Sequence, residues 1–177
     1  AGPFADGDRE RLYAADHGPA AQPALDLTAK FGEQAWRSLP ELRDGQPYNG
    51  LAQGSNVHYV ALPIHAPTAR ELRWSLGSDD CFVAFVDGQR VAERRVDRGV
   101  AADQDSLTAH HRAGVGTLTL AIVNTGGQGG VYLRRVPNPD ELPGDTWLAL
   151  LPGDALDAEL QGRLRTAWRE HHSPDYR

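Results

Sequence analysis

Two consecutive carboxylates, Asp79 and Asp80, separate two apolar segments of the chain and are the first candidates for chemistry. Adjacent acidic side chains are unfavourable unless water, hydrogen bonds or a cation offset their charge. Oxygen-rich loops of this kind suit calcium, which takes carboxylate and carbonyl ligands. The alternative is a turn in which the two side chains accept hydrogen bonds from backbone amides. The residues leave both interpretations open.

A second polar segment, residues 98–105, combines a guanidinium with carboxylates, and a later loop adds two side-chain amides. This mixture of donors and acceptors is what neighbouring sugar hydroxyls require. The sequence therefore predicts a site for a sugar. The predicted ligand-binding side chains of these two segments are Arg98, Asp103, Asp105, Asn124 and Gln128.

Sugar sites also use an aromatic ring against the apolar face of the sugar. The aromatic candidates are Trp36, Tyr48, Trp74 and Tyr132. We include Trp74 among the predicted ligand-binding residues. Its place within an alternating apolar and polar segment equally fits the alternative, which is packing in the core.

The chain shows little that would build a catalytic site. Asp103 and Asp105 can be interpreted as the paired carboxylates of a glycosidase, but nothing else in the sequence shapes a cleft. The glycine run at 126–130 leads into a predicted strand and lacks the lysine of a phosphate-binding loop. No Gly-x-Ser-x-Gly motif occurs. We therefore predict a non-catalytic protein and keep a glycoside hydrolase fragment as an alternative.

Histidine and cysteine add no metal centre to this pattern. His110 and His111 are adjacent and would point to opposite faces of a strand, whereas a helical zinc site needs i, i+4 spacing. We interpret both as solvent-exposed side chains. The single cysteine, Cys81, excludes an internal disulfide, and its place in the apolar run 81–86 predicts a buried thiol.

Short apolar segments must position these groups. Asp87-Gly88 joins two of them and favours the positive φ angles of a tight hairpin turn. Glycine-containing turns separate regularly spaced strands, a pattern typical of an antiparallel sandwich. The predicted fold class is therefore all-β, an antiparallel jelly-roll-like β-sandwich. The predicted strands are 57–62, 72–76, 82–86, 90–96, 106–110, 117–123 and 131–135.

A change in residue pattern along the chain predicts one sandwich domain followed by a helical segment. The β-sandwich domain spans residues 1–136, in which 1–56 form a loop-rich wrap with short strands and 57–136 supply the core strands. Residues 137–177 are predicted to form a linker and a C-terminal α-helix. The apolar stripe of this helix, at helical spacing, consists of Leu156, Leu160, Leu164 and Trp168.

Composition narrows the function classes further. The chain has 177 residues, enough for one compact core, and 18 basic against 24 acidic residues give a net charge of −6. Nucleic-acid binding is not expected, because it usually needs a clustered cationic face. No apolar run approaches the ~18 residues of a membrane span, and no signal peptide is recognised. Since the chain contains no methionine, we expect it to be a piece of a larger protein.

The residues around the double aspartate carry a family resemblance. Segments 72–80 and 86–91 resemble the strand, double aspartate and hairpin of galactose-binding-like and protective-antigen-type lectin sandwiches. Segments 98–105 and 118–124, with the glycine run into 131–133, are similar to a sandwich domain of large planctomycete-type secreted proteins. In those proteins the domain accompanies a cytochrome-c-like segment and domains of unknown function.

The resemblance implies a non-catalytic, extracytoplasmic module that binds a polysaccharide or oligosaccharide beside flanking domains of its parent protein. In calcium-dependent relatives the double aspartate holds the ion, and that role would fall here on Asp79 and Asp80 together with Asn124. One departure is Cys81, which stands where the motif usually has glycine. The alternative, from a different functional class, is a structural spacer that docks the flanking domains and binds no ligand.

Overall fold

Alternating apolar side chains build two antiparallel sheets that face each other. The computed structural model describes residues 1–66 and 68–137, so the predicted C-terminal helix lies outside the described residues. The N-terminal region contains a short helix, α1 (Arg9–Ala14), and a 3-10 turn (Pro19–Ala21). The strands are β1 (Phe4–Ala5), β2 (Lys30–Phe31), β3 (Gln34–Ala35), β4 (Tyr48–Leu51), β5 (Asn56–Ala66), β6 (Arg70–Asp79), β7 (Cys81–Val86), β8 (Gln89–Arg94), β9 (Asp105–His111), β10 (Gly114–Asn124) and β11 (Gly129–Val136).

From β4 to β11, strands that follow one another in the chain lie in different sheets, except for the hairpin of β7 and β8. The first sheet has the order β1-β5-β10-β7-β8, the second has the order β4-β11-β6-β9, and β2 pairs with β3 in a separate hairpin. The pairings are antiparallel. For β4 to β11 this is the order of a jelly roll, which folds eight strands into a double sheet. The predicted all-β, jelly-roll-like sandwich is confirmed.

Side chains from both sheets fill the space between them, and we call this set the inner cluster. They come from alternate positions of the strands, as the two-residue period of a half-buried strand requires. The largest side chains of the inner cluster include Trp74, Leu76, Phe82, Leu118, Leu120, Ile122 and Leu133.

The N-terminal residues cover the outer face of the first sheet. We call the side chains between them the outer cluster, and β7 and β10 therefore contact apolar groups on both faces. This double burial explains the unbroken apolar run at 81–86. Within the described ranges, no helix combines the length and the apolar character that a membrane crossing needs. The outer cluster includes Leu12, Ala15, Ala20, Val57, Tyr59, Cys81, Val83, Phe85, Ala121 and Val123.

All seven predicted strands are confirmed as β5 to β11, although their lengths differ from the prediction. Asp87 and Gly88 join β7 to β8 with φ angles of 51° and 76°, the positive values predicted for a tight hairpin turn. β6 includes residues 77–79, which were predicted to lie in a loop. β10 begins at Gly114, inside a predicted glycine turn, and Gly114 pairs with Ala66 of β5.

Candidate ligand-binding site

Asp80 lies between β6 and β7, and its carboxylate ties three segments together. One carboxylate oxygen accepts a hydrogen bond from the backbone N–H of Arg98 at 3.0 Å. The other accepts from the backbone N–H of Thr125 at 3.0 Å and from its hydroxyl at 2.6 Å. The hydroxyl of Ser78 donates to the carbonyl oxygen of Asp80 at 2.6 Å. Asp80 is buried, and its carboxylate accepts hydrogen bonds from backbone amides, as in the alternative to a calcium site.

Asn124, the third predicted calcium ligand, is buried and folds the loop after β10. Its Nδ2 donates to the carbonyl oxygens of Ala52 at 3.3 Å and Gly127 at 3.1 Å, and its Oδ1 accepts from the N–H of Gly126 at 3.2 Å. Hydrogen-bond donors thus already face the oxygens of Asp80 and Asn124, an arrangement that does not fit a calcium ion. The described part of the chain contains no group of three or more His, Cys, Asp or Glu side chains that could hold a metal ion.

Asp79 is half-buried at the end of β6. Burial raises the pKa of Asp79, and the negative charge of Asp80 raises it further, while a hydrogen bond from the backbone of Val100 lowers it. A neighbouring positive charge would have the opposite effect on this pKa. Asp79 is therefore the member of the acidic pair whose charge the protein does least to stabilise.

Arg98 and Asp105 form a largely buried ion pair at the end of the sandwich. The Arg98 guanidinium donates to one oxygen of Asp105, to the carbonyl oxygen of Ser78 at 3.3 Å and to the Ser78 hydroxyl at 3.1 Å. The other oxygen of Asp105 lies 3.3 Å from Nε of Arg94. Since Asp105 pairs with Leu76 of β6, it points to the inner side of the second sheet.

Beside this ion pair, an open groove of about 380 Å³ separates the edge strands β8 and β9. The Arg94 side chain is 61% exposed at its wall, whereas its partner Asp105 is only 10% exposed. Asp105 was predicted from the sequence as a ligand-binding residue, whereas Arg94 was not. The available signal was the alternation along β8, which places Arg94 on the same side of the strand as Ala92. The groove is lined by Phe82, Ala92, Glu93, Arg94, Gln104, Asp105 and Ser106.

Asp103 lies on the other, outer side of the second sheet. One oxygen of its carboxylate accepts hydrogen bonds from the hydroxyl of Ser75 at 2.5 Å, the hydroxyl of Tyr132 at 3.1 Å and the guanidinium of Arg134 at 2.8 Å. The hydrogen bond from Arg134, followed by that from Ser75, lowers the pKa of Asp103 to about 2. Because Asp103 and Asp105 lie on opposite sides of one sheet, their arrangement gives no support to the paired-carboxylate alternative.

Trp74 and Gln128, the remaining predicted ligand-binding residues, lie away from the groove. Trp74 is 1% exposed in the inner cluster, so it occupies the core position that was its alternative interpretation. Gln128 donates to the carbonyl oxygen of Leu51 and accepts a hydrogen bond from the side chain of Gln53 at 3.2 Å. Neither residue belongs to the lining of the groove.

His111 corrects one prediction. His110 is exposed, as predicted, but His111 is fully buried rather than solvent-exposed, because alternation along β9 turns it inward. Its Nδ1 lies 3.3 Å from the carboxylate of Asp87, and its Nε2 lies 3.3 Å from the carbonyl oxygen of Gly114. The predicted burial of the Cys81 thiol is confirmed.

Comparison with known proteins does not assign this chain to a family. A scan against models of protein families found no match, and a search of curated proteins found no significant one. The resemblance to lectin-type sandwiches therefore stays a prediction that rests on the sequence motifs alone.

Proposed function

We propose that this protein is a non-catalytic saccharide-binding module, and that an oligosaccharide or a segment of a polysaccharide lies in the groove between β8 and β9. The observation that supports the proposal is the exposed guanidinium of Arg94, which lies 3.3 Å from the carboxylate of Asp105 at the wall of this groove. An extracytoplasmic location and attachment to flanking domains belong to the same proposal and depend on the family resemblance.

The groove supplies the contacts that a sugar ring needs. A guanidinium donates to hydroxyl oxygens and a carboxylate accepts from hydroxyl protons, so Arg94 and Asp105 can bind neighbouring hydroxyls. Ala92, beside the largely buried Phe82, adds apolar surface for the C–H face of the ring. The volume of about 380 Å³ falls within the roughly 300–1,000 Å³ of small-molecule sites. We expect weak affinity, because a shallow polar site must desolvate each hydroxyl that it binds.

Affinity electrophoresis on a panel of neutral and acidic polysaccharides tests the proposal. We expect at least one polysaccharide to retard the wild-type protein. Arg94→Ala should reduce this affinity by at least about tenfold, since a hydrogen bond to a charged group contributes roughly 1.5–3 kcal/mol. Asp105 keeps its ion pair with Arg98 in this variant, so we expect the fold to persist.

The matched control is Arg112→Ala, which removes an exposed arginine that does not line the groove. This variant should keep the wild-type retardation. The proposal fails if no polysaccharide retards the wild-type protein, or if Arg94→Ala and Arg112→Ala lose affinity equally.

A structural spacer is the second candidate function, and one observation favours it. Asp80, Arg98 and Asn124 direct their polar groups towards the protein's own strands and loops. Calcium titration followed by the melting temperature tests the calcium prediction, since a ligand of the folded state raises the midpoint. We expect no rise, because three hydrogen-bond donors already face the Asp80 carboxylate. Indifference to both calcium and polysaccharides would favour the spacer, whereas a rise that Asp79→Asn abolishes would favour the calcium site.

A further inference from the structure

Three donors on the outer face of the second sheet converge on one carboxylate oxygen. Ser75 Oγ, Tyr132 Oη and Arg134 Nη2 lie 2.5, 3.1 and 2.8 Å from Oδ1 of Asp103. Arg134 also donates through Nε to the Tyr132 hydroxyl at 3.0 Å, which orients both side chains. A guanidinium and two hydroxyls around one oxygen are well suited to binding a carboxylate.

The sheet, rather than the loop, holds these donors in place. Ser75 pairs with Arg134 in the register of β6 and β11, and Tyr132 pairs with Gly77 two positions away. The three donor side chains are therefore neighbours on one face of the sheet. Ser75 and Tyr132 are only 7% and 2% exposed, so their positions are fixed by packing. The donor set is preformed for an acceptor, which reduces the ordering cost of binding one.

The acceptor comes from a loop that reaches over the sheet. Residues 95–104 connect β8 to β9, and they pass so close to Gly77 that a Cβ there would clash with the carbonyl oxygen of Ala101. Asp103 has a φ angle of 55°, a left-handed conformation that residues other than glycine rarely adopt. The side chains of Asp103 and Arg134 are 55% and 42% exposed, so solvent reaches the guanidinium of the donor set and the carboxylate that covers its two buried hydroxyls.

We propose that Ser75, Tyr132 and Arg134 form a carboxylate-binding site that Asp103 occupies in cis, and that a carboxylate ligand binds by displacing Asp103. The one positive charge of the site matches a monoanionic carboxylate, whereas a phosphate monoester carries more charge at neutral pH. An acidic sugar and a small organic acid both present this group. The site lies on the opposite side of the second sheet from Asp105, so it does not depend on the saccharide proposal.

Removal of the internal acceptor tests this site. Asp103→Gly deletes the carboxylate and suits the positive φ angle. We expect acetate to shift the Arg134 Nε–H signal of this variant saturably in NMR spectra. Acetate at about ten times its dissociation constant should raise the melting temperature by about 4 °C. The wild-type protein should bind acetate at least about tenfold more weakly, because Asp103 competes from within the molecule. Sodium chloride at the same concentration controls for ionic strength.

Two further variants separate a carboxylate site from a loop anchor. Asp103→Gly combined with Arg134→Gln should lose acetate binding. Asp103→Asn, which leaves the loop a neutral acceptor, should bind acetate with an affinity between those of the wild-type protein and Asp103→Gly. If Asp103→Gly does not fold, Asp103→Asn provides the test of acetate binding.

The ligand class follows from a comparison of glucuronate, acetate and glucose on the same variants. Stronger binding of glucuronate than of acetate would identify an acidic sugar, and equal binding would identify a small organic acid. Binding of glucose as tight as that of glucuronate would overturn the proposal. Equal acetate binding by the wild-type protein and Asp103→Gly, or no acetate binding by either Asp103 variant, would also overturn it.

Discussion

His58 on β5 is a buried base that the fold holds in its neutral form. Its Nε2 accepts a hydrogen bond from the backbone N–H of Ala52 at 3.1 Å, which only an unprotonated ring nitrogen can do. Burial lowers the pKa of His58 from 6.5 to about 4, and nearby positive charge, including that of Arg37, adds to this effect. Protonation of His58 therefore favours the unfolded chain.

This shift predicts that mild acid weakens the protein. Because the pKa of the folded state lies below the unfolded value, the stabilising contribution is fully present above pH 6.5 and is lost as the pH falls towards 4. Between about pH 7.5 and pH 5, we expect His58 to lower the free energy of unfolding by about 2 kcal/mol, measured by urea denaturation. His58→Gln can accept the same hydrogen bond without titrating, so it should flatten this part of the pH profile. An unchanged profile would contradict the role of His58.

The sequence predicted where polar side chains cluster. It did not predict which of them already form hydrogen bonds within the protein and which could contact a ligand. Asp79 and Asp80 are adjacent, yet Asp80 accepts three hydrogen bonds from its surroundings while burial raises the pKa of Asp79. The donors to Asp80 belong to Arg98 and Thr125, which are 18 and 45 residues away in sequence. Such contacts leave no local pattern, so the sequence left the role of Asp80 open. Arg94 was missed for the same reason, because its partner Asp105 lies on another sheet.

At the scale of elements, the loop of residues 95–104 lies close against β6 because Gly77 has no side chain, and hydrogen bonds also hold it there. A Cβ at Gly77 would meet the carbonyl oxygen of Ala101 and the side chain of Gln104. Gln104 fixes the loop by accepting a hydrogen bond from the backbone N–H of Ser78 at 3.1 Å. The close approach of loop and sheet therefore requires glycine on β6.

Gly77→Ala should lift this loop from the second sheet. The added methyl group meets backbone that cannot rotate away, so we expect the free energy of unfolding to fall by about 1–3 kcal/mol. Amide exchange should accelerate in residues 95–104. Gly126→Ala is the matched control, because a Cβ there has no neighbour within 4 Å, and it should change stability by less than about 0.5 kcal/mol. Equal effects of the two substitutions would argue against the close approach.

Strands were predictable because a half-buried strand must alternate and a tight turn needs particular residues. Each of β5 to β11 accordingly overlaps a predicted strand. Sequence patterns did not predict the helix α1 or the two-residue strands β2 and β3 individually. These elements are too short to show the repeating apolar spacing of a helix or a strand. A helix as short as α1 is stabilised by its tertiary contacts in the outer cluster rather than by its own propensity.

At the scale of the whole molecule, the first sheet is shared by both apolar clusters. β7 directs Phe82 and Ala84 into the inner cluster, and Val83 and Phe85 into the outer cluster. Packing between the sheets and packing of the N-terminal cover therefore depend on the same strand. Because opening either cluster exposes apolar side chains of β7, we expect both to unfold in one transition.

Leu12→Ala tests this coupling from the N-terminal side. Leu12 is 0% exposed in the outer cluster, and the cavity left by its side chain should lower the free energy of unfolding by about 2–5 kcal/mol. Amides of β6 and β11, whose apolar side chains belong to the inner cluster, should then lose protection against exchange as much as amides of α1. Leu27→Ala, at a leucine that is 68% exposed, should change stability by less than about 0.5 kcal/mol. If only α1 and its neighbours lost protection, the N-terminal cover would open separately from the sandwich, and β7 would keep its inner contacts without it.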